Sequence, residues 1–130
     1  MLVTIDTSAI IAVIGNEKHK AKLVSQTQGA QLVAPLSVHW KVGNAFSAMF
    51  KRKSITLSQA QQALEVYKMI PIRFIEVQLE RTLVISEKFN IYAYDAYLLQ
   101  CTEQTNSTLM TLDKNLLSVA QQMGLSTLEI

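Results

Sequence analysis

Apolar positions come in two rhythms along this chain. Short unbroken runs alternate with stretches in which apolar residues recur every three or four positions. The first run, Leu2-Val3-Thr4-Ile5, reads as a buried strand, and residues 7–14 as a short, very apolar helix stopped by Gly15-Asn16. Residues 17–28 read as a second helix carrying Lys18, Lys20 and Lys22, and Gly29 closes it. Residues 31–34 form a strand, with Pro35 at the turn. Val38, Val42, Ala45 and Met49 set a helical stripe through residues 37–50, followed by Lys51-Arg52-Lys53. Thr56 opens another helix with Ala60, Leu64 and Tyr67 in phase, and Pro71 ends that stretch.

The second half repeats the alternation. A strand is predicted over 72–77, a helix over 79–89 with Asn90 as a left-handed stop, and a helix over 95–104. A strand over 108–112, a helix over 114–123 ended by Gly124, and a strand over 127–130 complete the order. Strands that alternate with helices imply an α/β fold, a mostly parallel central sheet with helices on both faces. In such sheets ligands gather beyond the carboxyl ends of the strands, near a point where strand order reverses.

Length and composition narrow the class. The 130 residues suit one domain over 1–130, and 49% hydrophobic with 17% charged residues excludes a disordered chain. No repeat or low-complexity tract divides it. A net charge of +2 is compatible with a nucleic-acid partner without requiring one. Cys101 is the single cysteine and has no internal partner, so a reducing cytoplasm is the expected home. No signal peptide is expected, because the chain opens directly on a strand. The longest apolar run, 9–14, is too short to span a bilayer, so no membrane role is expected.

Three aspartates carry the candidate chemistry. Asp6 follows the first strand, Asp113 follows the strand ending at Leu112, and Asp95 opens a helix after Tyr92-Ala93-Tyr94. Carboxylates gathered at one sheet edge would suit Mg²⁺ or Mn²⁺, hard cations that take oxygen ligands. Each aspartate, taken singly, is better read as a helix N-cap. Taken together, two of them follow strands expected to be neighbours, and both readings stay open.

Four segments in order resemble the PIN-domain family, and in particular its VapC-type ribonuclease toxins. These are Val3-Thr4-Ile5-Asp6-Thr7-Ser8-Ala9, Trp40-Lys41-Val42-Gly43-Asn44-Ala45, Tyr94-Asp95-Ala96-Tyr97-Leu98-Leu99 and Leu109-Met110-Thr111-Leu112-Asp113-Lys114. The resemblance implies a PIN-like three-layer fold and an acidic cluster, Asp6, Asp95 and Asp113, that binds one or two divalent ions and cleaves RNA phosphodiesters. Thr7, Ser8 and Thr111 would orient a water or a carboxylate, unless they are only turn and cap hydroxyls. It also implies a VapB-like antitoxin partner and a homodimer.

One position departs from the pattern. The family has a glutamate on the helix where this chain has Lys41, while the flanking Trp40 and Val42-Gly43-Asn44-Ala45 fit. Without the resemblance Lys41 would read as a solvated helix residue. With it, Lys41 is expected to weaken metal binding and cleavage, and a metal-impaired binding or regulatory module becomes the alternative function. A phosphotransferase with Asp6 as nucleophile is disfavoured, because Asp6-Thr7-Ser8 lacks a second acid and no glycine-rich phosphate loop follows.

The remaining candidates have plain structural readings. His39 reads as a helix-surface or structural residue and Cys101 as buried filler. Lys51-Arg52-Lys53 suits RNA phosphates or a helix dipole. Trp40, Phe46, Phe50 and Tyr67 look like more apolar surface than one small core face needs, so the region 38–67 is expected to contribute to a protein interface.

Overall fold

The computed structural model describes residues 1–128; the last two residues of the strand predicted over 127–130 lie outside the described residues. Its elements run β1 (Leu2–Ile5), α1 (Thr7–Ile14), α2 (Lys20–Gln26), β2 (Gln31–Pro35), α3 (Leu36–Lys51), α4 (Leu57–Met69), β3 (Ile72–Ile75), α5 (Leu79–Phe89), α6 (Ala93–Thr105), β4 (Thr108–Met110), α7 (Lys114–Gln122) and β5 (Ser126–Leu128). The five strands lie in the order β3-β2-β1-β4-β5, and every pairing is parallel. The chain first builds the sheet outward from β1 through β2 to β3, then crosses to β4 on the other side of β1. The reversal therefore falls between β1 and β4, where Ile5 is in register with Met110.

The pleat of β1 shows how the layers form. Val3 and Ile5 join Ile10, Leu23 and Met110 in the apolar core on the α1–α2 side. Thr4, between them, points to the opposite face, where its Oγ1 lies 2.6 Å from Ser107 Oγ and 3.9 Å from Cys101 Sγ of α6. This is the two-residue alternation of a strand covered by helices on both sides. Cys101 is fully buried in that layer, and burial pushes its thiol pKa up to about 11, so it is filler and not a reactive thiol.

Several boundaries differ from the sequence expectation. The helix expected over 17–28 is shortened to Lys20–Gln26, and only Leu23 of it is buried. One core anchor gives a helix little tertiary support. The strands expected over 72–77 and 108–112 end at Ile75 and Met110, leaving Thr111 and Leu112 in the turn. Asn90 adopts the expected left-handed conformation, with φ 53°. Of the apolar surplus expected in region 38–67, Phe46 and Tyr67 are core residues, while Trp40 and Phe50 remain exposed. Tyr67 is held by its hydroxyl, 2.9 Å from His39 Nδ1, which gives His39 a structural role. Among the described residues no helix is long and apolar enough to cross a membrane.

Candidate active site

Asp6 is the anchor of the carboxyl edge. It leaves β1 with extended backbone and caps α1, its Oδ1 accepting from the Ala9 N–H at 3.0 Å. Ser8 Oγ donates to the same oxygen at 2.7 Å, and the Thr111 hydroxyl donates to Oδ2. Ser8 Oγ also accepts from the Leu112 N–H at 3.2 Å, and Thr111 Oγ1 from the Asp113 N–H at 3.0 Å. The turns after β1 and β4 are thus laced together across the switch point by one carboxylate and two hydroxyls. Thr7 takes no part; its hydroxyl donates to the Val38 carbonyl of α3 at 3.5 Å.

Asp6 is only 5% exposed. Burial raises its pKa; the Thr111, Ser8 and Ala9 hydrogen bonds pull the other way, and the charge of Asp113 adds to the rise. With both oxygens engaged and almost no exposure, Asp6 is poorly placed to act as a nucleophile.

Asp113 caps α7 through Oδ1, which accepts from Asn115 N–H at 2.9 Å and Leu116 N–H at 3.2 Å. The capping reading is therefore correct for Asp6 and Asp113. It fails for Asp95, because α6 begins two residues earlier, with Tyr92 at the cap. Asp95 instead sits half-buried inside the first turn. Burial raises its pKa, the Asp113 charge raises it further, and the Lys41 charge lowers it. Asp113 therefore interacts with both other aspartates, and Lys41 with Asp95.

Lys41 stands at the edge of this cluster. Its ammonium lies 5.5 Å from the centroid of the Tyr94 ring, one residue before Asp95. It forms no ion pair within 4 Å among the described residues.

The donor set suits a hard cation in kind, since these are carboxylates, and the Asp113 charge reaches both Asp6 and Asp95. The arrangement is less complete. Among the described residues no three acidic, histidine or cysteine side chains stand close enough to hold one ion. Lys41, whose charge reaches Asp95, brings a positive charge to the edge of the cluster.

Sequence reasoning missed the opposed rows on α3 and α6. Ser37 and Tyr97 line a cavity of about 210 Å³ with Pro35, Leu36, Ile75, Glu76 and Val77, at the carboxyl ends of β2 and β3. Ser37 and Lys41 share one face of α3, four residues apart, and Tyr94 and Tyr97 share one face of α6, three apart. That spacing was visible in the sequence; the pairing of the two faces was not.

Comparison with known proteins places this architecture. The PIN domain family model matches residues 3–122, so the chain belongs to the PIN domain family. No curated protein matches it in sequence. Among solved structures it is similar to VapBC2 from Rickettsia felis, bound to a DNA fragment from their promoter, with TM-score 0.69 and 13% identity over 98% of each chain. PAE2754 from Pyrobaculum aerophilum gives TM-score 0.67 and 18% identity, covering 92% of this chain and 87% of its own. The Mycobacterium tuberculosis toxin VapC20, which cleaves the sarcin-ricin loop, gives 0.63 and 13%, covering 89% of this chain and 93% of its own. Identities this low establish the shared fold.

Proposed function

We propose that this chain is the ribonuclease toxin of a VapBC-type toxin–antitoxin pair, acting on RNA phosphodiesters through Asp6, Asp95 and Asp113. The observation that carries the reading is the carboxyl edge at the switch point of a PIN fold, where Asp6, tied by Ser8 and Thr111, joins the turn after β1 to the turn that carries Asp113, with Asp95 near enough to feel the Asp113 charge. A bound Mg²⁺ or Mn²⁺ would supply Lewis acidity and a water of lowered pKa. Asp6, fixed by Ser8 and Thr111, holds the geometry of the edge. Asp95 and Asp113 keep a carboxylate oxygen each for a ligand. Lys41 removes part of the negative charge and attenuates the activity.

The resemblance to the VapBC2 and VapC20 structures supports an antitoxin partner and an RNA substrate. The exposed Trp40 and Phe50 on α3 support a homodimer. The same Lys41 also favours a second reading, a PIN-fold binding or regulatory module that no longer cleaves. Incubation with a panel of structured RNAs in Mn²⁺, Mg²⁺ or EDTA tests the first reading. Metal-dependent fragments that vanish in Asp95→Asn and Asp113→Asn support it. An intact panel at high Mn²⁺, with RNA still bound, favours the second.

A further inference from the structure

Two side-chain rows face each other across the mouth of the sheet. On α3 they are Ser37 and Lys41; on α6, Tyr97 and Tyr94. Ser37 and Tyr97 meet at the cavity of about 210 Å³. Lys41 and Tyr94 meet through the 5.5 Å cation–ring contact. The cavity wall is fixed from below: Gln104 Nε2, further along α6, donates to the Glu76 carbonyl at 3.1 Å. One end of the groove is therefore a shaped pocket with Tyr97 as its aromatic side and the Glu76 backbone pinned opposite. The other end is a cation with no carboxylate within 4 Å among the described residues, beside Asp95.

We propose that this groove is a subsite for one unpaired nucleotide of an RNA substrate, the base entering the cavity against Tyr97 and the adjoining phosphate meeting Lys41. The inference rests on the ribonuclease reading and adds where the substrate is gripped. Three features favour a nucleotide. A flat base needs an aromatic wall and the backbone polar groups found at strand ends. A phosphate needs a cation free to leave a weak contact, and an ammonium over a ring is more easily drawn off than one in a salt bridge. The two ends are joined by a single helical turn on each side, within reach of one nucleotide, and the groove opens next to the acidic cluster. A base-paired nucleotide would have to leave its stack to enter, so the subsite selects single-stranded segments or loops. Lys41 thus acquires a positive role: it replaces some of the charge neutralisation at the site with a direct hold on the RNA.

The test is equilibrium binding of a fluorescent single-stranded RNA in EDTA, compared with copies carrying one abasic ribose at successive positions. For the wild-type chain one abasic position should weaken binding roughly tenfold. Ser37→Trp, which fills the cavity from a half-buried helix position, should bind the intact RNA as weakly as the wild type binds the abasic one, and should show no further abasic penalty. Tyr97→Phe should keep the penalty, because the ring remains. Lys41→Gln should lower the salt dependence of binding by about one phosphate contact. Equal abasic penalties in the wild type and Ser37→Trp, with both folded by thermal melt, overturn the subsite while leaving the ribonuclease reading standing. If Ser37→Trp instead alters only the oligomeric state, the groove is a protein interface and the proposal fails. A wild-type chain that binds no RNA overturns the subsite and the ribonuclease reading together.

Discussion

The hydroxyl of Thr111 donates to Oδ2 of Asp6, joining the turn after β4 to the turn after β1. Both groups are buried, at 1% and 5% exposure, so neither has water to fall back on. Thr111→Val should leave that carboxylate oxygen unpaired and cost about 1–3 kcal/mol of stability. Thr111→Ser, which keeps the donor, should cost less. Urea unfolding in EDTA measures both. A valine variant as stable as the wild type would show that the hydrogen bond contributes nothing net.

The pH dependence follows from the same carboxylate. Asp6 has a folded pKa above its ordinary 3.8, chiefly because it is buried. The unfolded chain therefore loses this proton first as pH rises. The stability linked to Asp6 is full below about 3.8 and is lost as pH rises through the folded value. Asp95 shifts in the same direction. In Asp6→Asn that fall should be absent, so the stability of the variant relative to the wild type should increase with pH in EDTA. A relative stability that declines with pH would contradict the assignment.

Arg81 and Glu103 tie α5 to α6 through two bonds of 2.8 and 2.9 Å. The Arg81 hydrogen bond lowers the Glu103 pKa, so this contribution is present above the ordinary 4.5 and is lost as pH falls. The side chains are 43% and 35% exposed, and solvent screening holds the pair to less than about 1 kcal/mol. Arg81→Ala should therefore destabilise only slightly at neutral pH, and not at all at pH below the folded Glu103 value. Thermal melts at the two pH values and at high salt check this.

Trp40 is 67% exposed on α3, and the His39 ring meets both Trp40 and the exposed Phe74 of edge strand β3 edge-on. If this patch pairs two copies, Trp40→Ser should shift the protein from dimer toward monomer. Light scattering across a concentration series reads the change. A wild type that stays monomeric at high concentration would remove the dimer.

Much of this edge was legible in the sequence because its residues answer to local rules. An apolar run that stops at Asp6 marks the end of β1, and another that stops just before Asp113 marks β4 to within two residues, since Thr111 and Leu112 belong to the turn. The order of strands and helices then makes β1 and β4 plausible neighbours. Asp95 was harder. Its helix begins at Ala93, with no side-chain cap to mark the start, so it reads as a cap in sequence and is an internal residue in the fold. Thr111 was a candidate among three hydroxyls, and only the register of β4 with β1 separates it and Ser8 from Thr7. The cavity beside Ser37 and Tyr97 was invisible, because it depends on how α3 and α6 sit over the strand ends. Trp40 and Phe46 look alike in one dimension; rotation about the helix axis sends Phe46 to the core and Trp40 to the surface.

Lys41 bears on the central claim, that a PIN acidic site here carries a lysine where a fourth carboxylate would stand. Three aspartates and a lysine carry a formal −2, whereas three aspartates and a glutamate carry −4. Opposite unit charges ~4 Å apart interact by about 4 kcal/mol at an effective dielectric near 20, and solvent around a half-buried lysine cuts this to a fraction. Even about 1.4 kcal/mol is tenfold in affinity. The direct measurement is calorimetric titration of Mn²⁺ into the chain and into Lys41→Glu, with Asp113→Asn as the control for binding at the cluster. Lys41→Glu should bind Mn²⁺ about tenfold more tightly, a gain lost again when Asp113→Asn is added. Equal affinities in the two chains would contradict it and place Lys41 outside the site.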